Sequence, residues 1–141
     1  MNILYVVVAA LSLFTSAHAS EQTAYRINIE SVYDGDTIKG YVDIWVGLTK
    51  HVSIRINGID TPEIRTKNKC EKMLGLKAKQ ALIDFIGDKQ VTISNVKLGK
   101  YAGRVLADVS VQGKDVAGYM IKQGFAREYH GGKRKEWCIK R

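Results

Sequence analysis

The sequence predicts a mainly β member of the α+β class: a small, partly open five-stranded Greek-key barrel with one long and one short helix. Three observations predict it. Five short segments alternate apolar and polar residues with the period of a strand. Between the third and fourth of them, the segment 71–86 switches to the period of a helix. A length of 141 residues, 45% hydrophobic and 26% charged, suits one domain with a single modest core. Thirteen glycines and one proline exclude collagen-like and proline-rich chains, and no repeat, low-complexity tract or linker divides the sequence.

The elements follow in order. Ile3 to Phe14 is a mostly apolar run, closed by Ala17-His18-Ala19. This has the form of a secretory signal peptide over residues 1–19, with cleavage expected after Ala19 and a single domain over 20–141; a retained N-terminal anchor or a buried helix is the alternative. The run is shorter than the ~20 residues a bilayer-spanning helix needs, so stable membrane association is not expected after cleavage. Residues 24–32 alternate, with Ile27 and Ile29 on one face, and Asp34-Gly35-Asp36 marks a turn into a strand from Thr37 to Trp45. In 51–57, Val52, Ile54 and Ile56 face one way and Ser53, Arg55 and Asn57 the other.

Leu74, Ala78, Ala81, Leu82 and Phe85 then form one face of an amphipathic helix that ends at Gly87. Residues 90–96 and 104–111 read as strands. Asp115 can cap a short helix that runs to Gln123 and stops at Gly124. Three strands, a helix, two strands and a short helix fit the oligonucleotide-binding (OB) barrel, although a sheet with one helix packed on it has the same pattern.

Charge and cysteine content narrow the chemistry. Lys+Arg number 22 against 14 Asp+Glu, a formal charge of +8, and every basic residue follows Ala19. Such a surplus suits nucleic acid, an anionic membrane surface or an acidic partner. Cys70 and Cys138, with His51 and His130, match none of the usual structural zinc spacings. In an oxidising compartment the two cysteines are expected to pair, worth roughly 4 kcal/mol for so long a loop. The alternative is two buried thiols acting as small hydrophobes.

Against this basic background, four of the 14 acids sit in two short clusters, Asp34 and Asp36 in DGDT and Asp60 and Glu63 in DTPE. Carboxylates two or three apart in turns can converge on one hard cation, which takes about six to eight oxygen ligands. An EF-hand is excluded, because its sixth and twelfth positions, counted from Asp34, fall on Lys39 and Trp45. Arg55, five residues before Asp60, and Arg104 can clamp a phosphate bidentately; solvated strand arginines are the alternative.

These residues carry a resemblance. The stretch Arg55-Ile-Asn-Gly-Ile-Asp60-Thr61-Pro62-Glu63, preceded by Asp34-Gly35-Asp36-Thr37 and followed by Gly103-Arg104-Val-Leu-Ala, resembles the staphylococcal nuclease (thermonuclease) family over residues 25–129. The resemblance implies an OB barrel, calcium as cofactor, and both DNA and RNA as substrates. It implies that Asp36 and Asp60 bind calcium through carboxylates and Thr61 through its carbonyl. Glu63 would orient or deprotonate the attacking water, and Arg55 and Arg104 would hold the scissile phosphate. Cleavage would leave 3′-phosphate ends.

The chain departs from the family in two places. Lys100-Tyr101-Ala102-Gly103-Arg104 displaces a tyrosine by one residue, and only 17 residues follow Gly124. A Cys70–Cys138 bridge would then tie the tail to the start of the central helix. Tyr101 and Tyr129 are candidate nucleotide contacts. Lys67 and Lys69 belong to a basic run (Arg65, Lys67, Lys69, Lys72, Lys77, Lys79) that, with 133–141, can attract a phosphate backbone or simply keep the chain soluble. No aromatic-rich stretch suggests a stacking platform. The expectation is a secreted or periplasmic, monomeric, calcium-dependent endonuclease or exonuclease with no protein partner. The rival is a catalytically silent OB module that only binds nucleic acid.

Overall fold

Alternation draws the chain into strands in the predicted order. The computed structural model describes residues 23–138, and the expected signal peptide lies outside them. β1 (Tyr25–Asp34), β2 (Thr37–Trp45) and β3 (Leu48–Ile56) form an antiparallel meander. There follow β4 (Ile59–Asp60), α1 (Lys69–Ile86), β5 (Val91–Leu98), β6 (Arg104–Val111), β7 (Lys114–Asp115), α2 (Val116–Lys122) and β8 (Arg127–Glu128). The main sheet has the order β3-β2-β1-β5-β6-β7. Parallel pairing of β3 with β6, from Ser53↔Arg104 to Ile56↔Ala107, closes the five long strands into the OB-type barrel.

Inward side chains fill that barrel. Ile27, Ile38, Ile54, Ile56, Val91, Ile93, Ala107, Val109 and Val111 are buried, and α1 adds Ala78, Leu82 and Ile86 while α2 adds Val116 and Met120. The buried stripe of α1 is Gly75, Ala78, Leu82 and Ile86, with Leu74, Ala81 and Phe85 only half-buried at its flanks. A periodicity weighted toward large side chains passes over Gly75. Yet a Cβ there would lie 2.7 Å from the Pro62 carbonyl oxygen, so its smallness sets the centre of the stripe. Phe85 on the flank stacks on Tyr119 with ring centroids 3.8 Å apart.

Both helices are capped by side chains. Asn68 accepts from the backbone N–H groups of Cys70 and Glu71, so α1 begins two residues before the predicted Glu71. Asp115 caps α2 as predicted, accepting from Gly118 N–H at 2.7 Å. β3 starts at Leu48, earlier than its alternation suggests, because the β2–β3 ribbon stays paired out to Trp45↔Leu48. Register shifts between β1 and β2 leave Glu30 and Tyr33 as extra residues on β1, and such bulges bend a strand and re-aim its side chains. No helix among the described residues is long and apolar enough to cross a membrane.

Candidate active site

Closure of the barrel builds the site. The parallel register sets Ser53 beside Arg104 and Arg55 beside Leu106. Alternate residues share a face, so all four line one cleft of about 870 Å³ on the outer side of the barrel. Arg104 reaches it with its Nε buried and without a hydrogen-bond partner among the described residues, and its guanidinium lies 4.9 Å from the Tyr101 ring centroid. A buried donor left unmatched is an opening for an anion.

The two acidic turns meet behind Arg55. Asp36 is 5% exposed and Asp60 4%. Asp36 Oδ2 accepts from Thr61 N–H at 3.0 Å and from Thr61 Oγ1 at 2.9 Å, while Thr37 Oγ1 donates to Oδ1. Arg55 pairs with Asp36, lies 3.8 Å from Asp60 Oδ1, and donates to the Ile59 carbonyl at 3.0 Å. Gly35 permits this convergence, since a Cβ there would lie 2.8 Å from Ala78 Cβ and 2.9 Å from Thr61 Oγ1. Asp34 behaves differently from its neighbour: burial first, then the negative charge of Asp36, pushes its carboxyl up to about 7.

Glu63 is held through its backbone. Glu71, in the first turn of α1, accepts from Glu63 N–H at 3.2 Å, and Gly75 lets α1 approach the Pro62–Glu63 peptide. The carboxylate itself remains 43% exposed at the cleft.

The tail supplies what the sequence reading did not assign. β8 pairs with β4, so that Ile59 faces Glu128 and Asp60 faces Arg127. Beyond it, Arg134 Nη2 pairs with Asp60 Oδ1 and donates to the Thr61 carbonyl at 2.9 Å, and Nη1 pairs with Glu63. Trp137 Nε1 donates to Asp60 Oδ2 at 3.2 Å, and Arg127 lies 3.7 Å from the Trp137 ring centroid. Cys70 and Cys138 form the expected disulfide. That bridge was the available signal for Arg134: a tail fastened to the start of α1 must pass the loop that carries Glu63.

Of the other predicted residues, Tyr101 and Tyr129 line the cleft, whereas Lys67 and Lys69 are exposed and do not. Tyr33, Tyr101 and Tyr129, scattered along the chain, stand together on the cleft. Tyr33 faces it from the β1 bulge, with Lys39 Nζ 5.3 Å and Arg65 Cζ 5.2 Å from its ring centroid.

The family model described as "Staphylococcal nuclease homologue" matches residues 53–138, from the strand that carries Arg55 to the bridging Cys138. The chain belongs to the staphylococcal nuclease family. It is 31% identical to Endonuclease YncB of Bacillus subtilis (strain 168) over 111 residues, which cover 77% of this chain and 50% of that protein. It is 32% identical to the SPbeta prophage-derived endonuclease YokF of the same organism over 108 residues, 72% of this chain and 33% of that one. The chain thus spans half or less of the length of these relatives. Asp36 lies upstream of the family match, so its place beside Asp60 comes from the fold.

The donor set suits the hard cation that the staphylococcal nuclease family implies. No three His, Cys, Asp or Glu converge as a closed metal site among the described residues. Two buried carboxylates, Asp36 and Asp60, instead stand with the Thr61 carbonyl, all hard oxygen donors, and Asp60 Oδ1 is already paired with the Arg134 guanidinium. An oxygen-only set of this kind selects calcium or magnesium over softer metals.

Proposed function

We propose that the protein is a calcium-dependent phosphodiesterase that hydrolyses DNA and RNA with little sequence preference and leaves 3′-phosphate ends. The observation that carries this reading is the meeting of buried Asp36 with the guanidiniums of Arg55 and Arg104 at one cleft, with buried Asp60 3.8 Å from Arg55. A phosphodiester is anionic and repels hydroxide, so cleavage needs positive charge placed where charge develops. Arg55 is pre-oriented by Asp36 and by the Ile59 carbonyl, and Arg104 brings an unmatched donor to the same cleft. Asp36, Asp60 and the Thr61 carbonyl would hold calcium, which would supply further positive charge and acidify water. Glu63, exposed at the cleft and fixed through its backbone, orients the attacking water or takes its proton. Tyr33, Tyr101 and Tyr129 offer π-faces that stack on any base, which suits weak sequence preference.

The reading includes export to the periplasm or the medium, supported by the apolar run and Ala17-His18-Ala19 and by a disulfide, and action as a monomer. The test is digestion of single-stranded DNA by the oxidised protein in calcium and again in chelator. Cleavage only in calcium is expected. Nucleic-acid binding without calcium-dependent cleavage would make the chain a silent OB module instead.

A further inference from the structure

The corner of the site that faces the tail already holds a cation from the chain itself. Arg134 meets three oxygen-bearing groups there: the carboxylates of Asp60 and Glu63 and the carbonyl of Thr61. Asp60 and Thr61 are the groups just assigned to calcium, and Glu63 is the group assigned to water. We propose that the disulfide-anchored tail is a strap that seats Arg134 in the cation's place, so that Arg134 and calcium are alternative occupants of this corner. This rests on the calcium reading above and adds a competitor to it.

Charge balance argues for exchange rather than co-occupancy. Asp36, Asp60 and Glu63 face two guanidiniums, Arg55 and Arg134. A divalent cation added beside both would turn a negative corner positive, whereas one that displaces Arg134 leaves the corner neutral. Arg134 is also built to leave. Its side chain is 38% exposed against 17% for Arg55, so water can solvate it as it withdraws. The strap is hinged at Gly131 and Gly132, whose φ of +107° and +89° few other residues adopt, and fastened at Cys138. Between hinge and fastening, Trp137 bonds Asp60 and stacks with Arg127, so the strap's position is tied to the carboxylate that calcium would claim.

The test is calorimetric titration of calcium into the full oxidised chain and into Arg134→Ala, with tryptophan emission followed in a Trp45→Phe background so that Trp137 alone reports. Arg134→Ala should bind calcium about tenfold tighter or more, within the usual range of coupling between competing sites. Calcium should shift Trp137 emission in the parent as the strap lifts. Releasing the strap with Cys70→Ser/Cys138→Ser should also tighten binding, and should add little once Arg134 is gone. Equal or weaker affinity in Arg134→Ala, with Trp137 emission unmoved, would overturn the strap and leave the calcium reading standing. No calcium binding by any of these proteins would overturn both.

Discussion

Asp34 keeps its proton in the folded protein up to about pH 7, because burial and the charge of Asp36 oppose its ionisation. An unfolded chain releases that proton near pH 4. Between those values the native state binds the extra proton, so stability falls as pH rises from about 4 to 7 and levels off above. Urea midpoints of the calcium-depleted protein should trace that fall, and Asp34→Asn should flatten it and stabilise the protein at pH 8. An identical slope in Asp34→Asn would remove Asp34 as its source. Glu63 is a separate case, since its exposed carboxylate is assigned to water. Glu63→Gln should lower kcat by about 10²–10⁴ while nucleic-acid binding persists; unchanged turnover in a steady-state assay would take Glu63 out of the mechanism. The acidic turns 34–36 and 60–63 and the strand arginines Arg55 and Arg104 were legible as candidates from turn and strand spacing, and the family resemblance singled out Asp36, Asp60 and Glu63 among the acids. Tyr33 and Arg134 were not, because a bulge aims the first and a disulfide delivers the second.

At the scale of elements, the site depends on how closely α1 packs on the two acidic turns. Gly35, Gly75 and Ala78 make that approach possible, and Glu71 fixes the Glu63 peptide once α1 is there. The helix itself was legible from its 3.6-residue period. Its docking face was misplaced by one residue, because close packing uses small side chains that carry little hydrophobic signal. A methyl group at position 75 would stand 2.7 Å from the Pro62 carbonyl oxygen and 3.0 Å from the Glu63 carbonyl carbon, both backbone atoms that cannot turn aside. Gly75→Ala should therefore cost about 1–3 kcal/mol of stability and lower activity, by pushing α1 off the loop that carries Glu63. Urea unfolding and kcat, measured on the same preparation, check both halves. Unchanged values in both would show that α1 does not position Glu63.

At the scale of the molecule, the strands were legible and their closure was not, since no local pattern records that β3 meets β6 in parallel. Long-range closure also fixes the tail, where β8 pairs with β4 and the Cys70–Cys138 bridge spans 68 residues. Among the described residues the barrel core of Ile38, Ile54, Ile56, Val109 and their neighbours contains nothing beyond Ala126, so the described part of the tail adds little to it. The bridge therefore acts mainly on the unfolded chain, which it denies the freedom of a long open loop. On that account Cys70→Ser/Cys138→Ser should still fold to the same barrel, with unchanged far-UV circular dichroism. It should melt lower by an amount on the order of 10 °C, from the roughly 2–4 kcal/mol such a loop is worth. Reductant should bring the parent protein down to the Tm of the double variant and leave that variant unmoved. A parent whose Tm ignores reductant would mean that the bridge fastens a tail whose release is independent of barrel unfolding. The disulfide would then serve the corner at Asp60 and Glu63 rather than the stability of the fold.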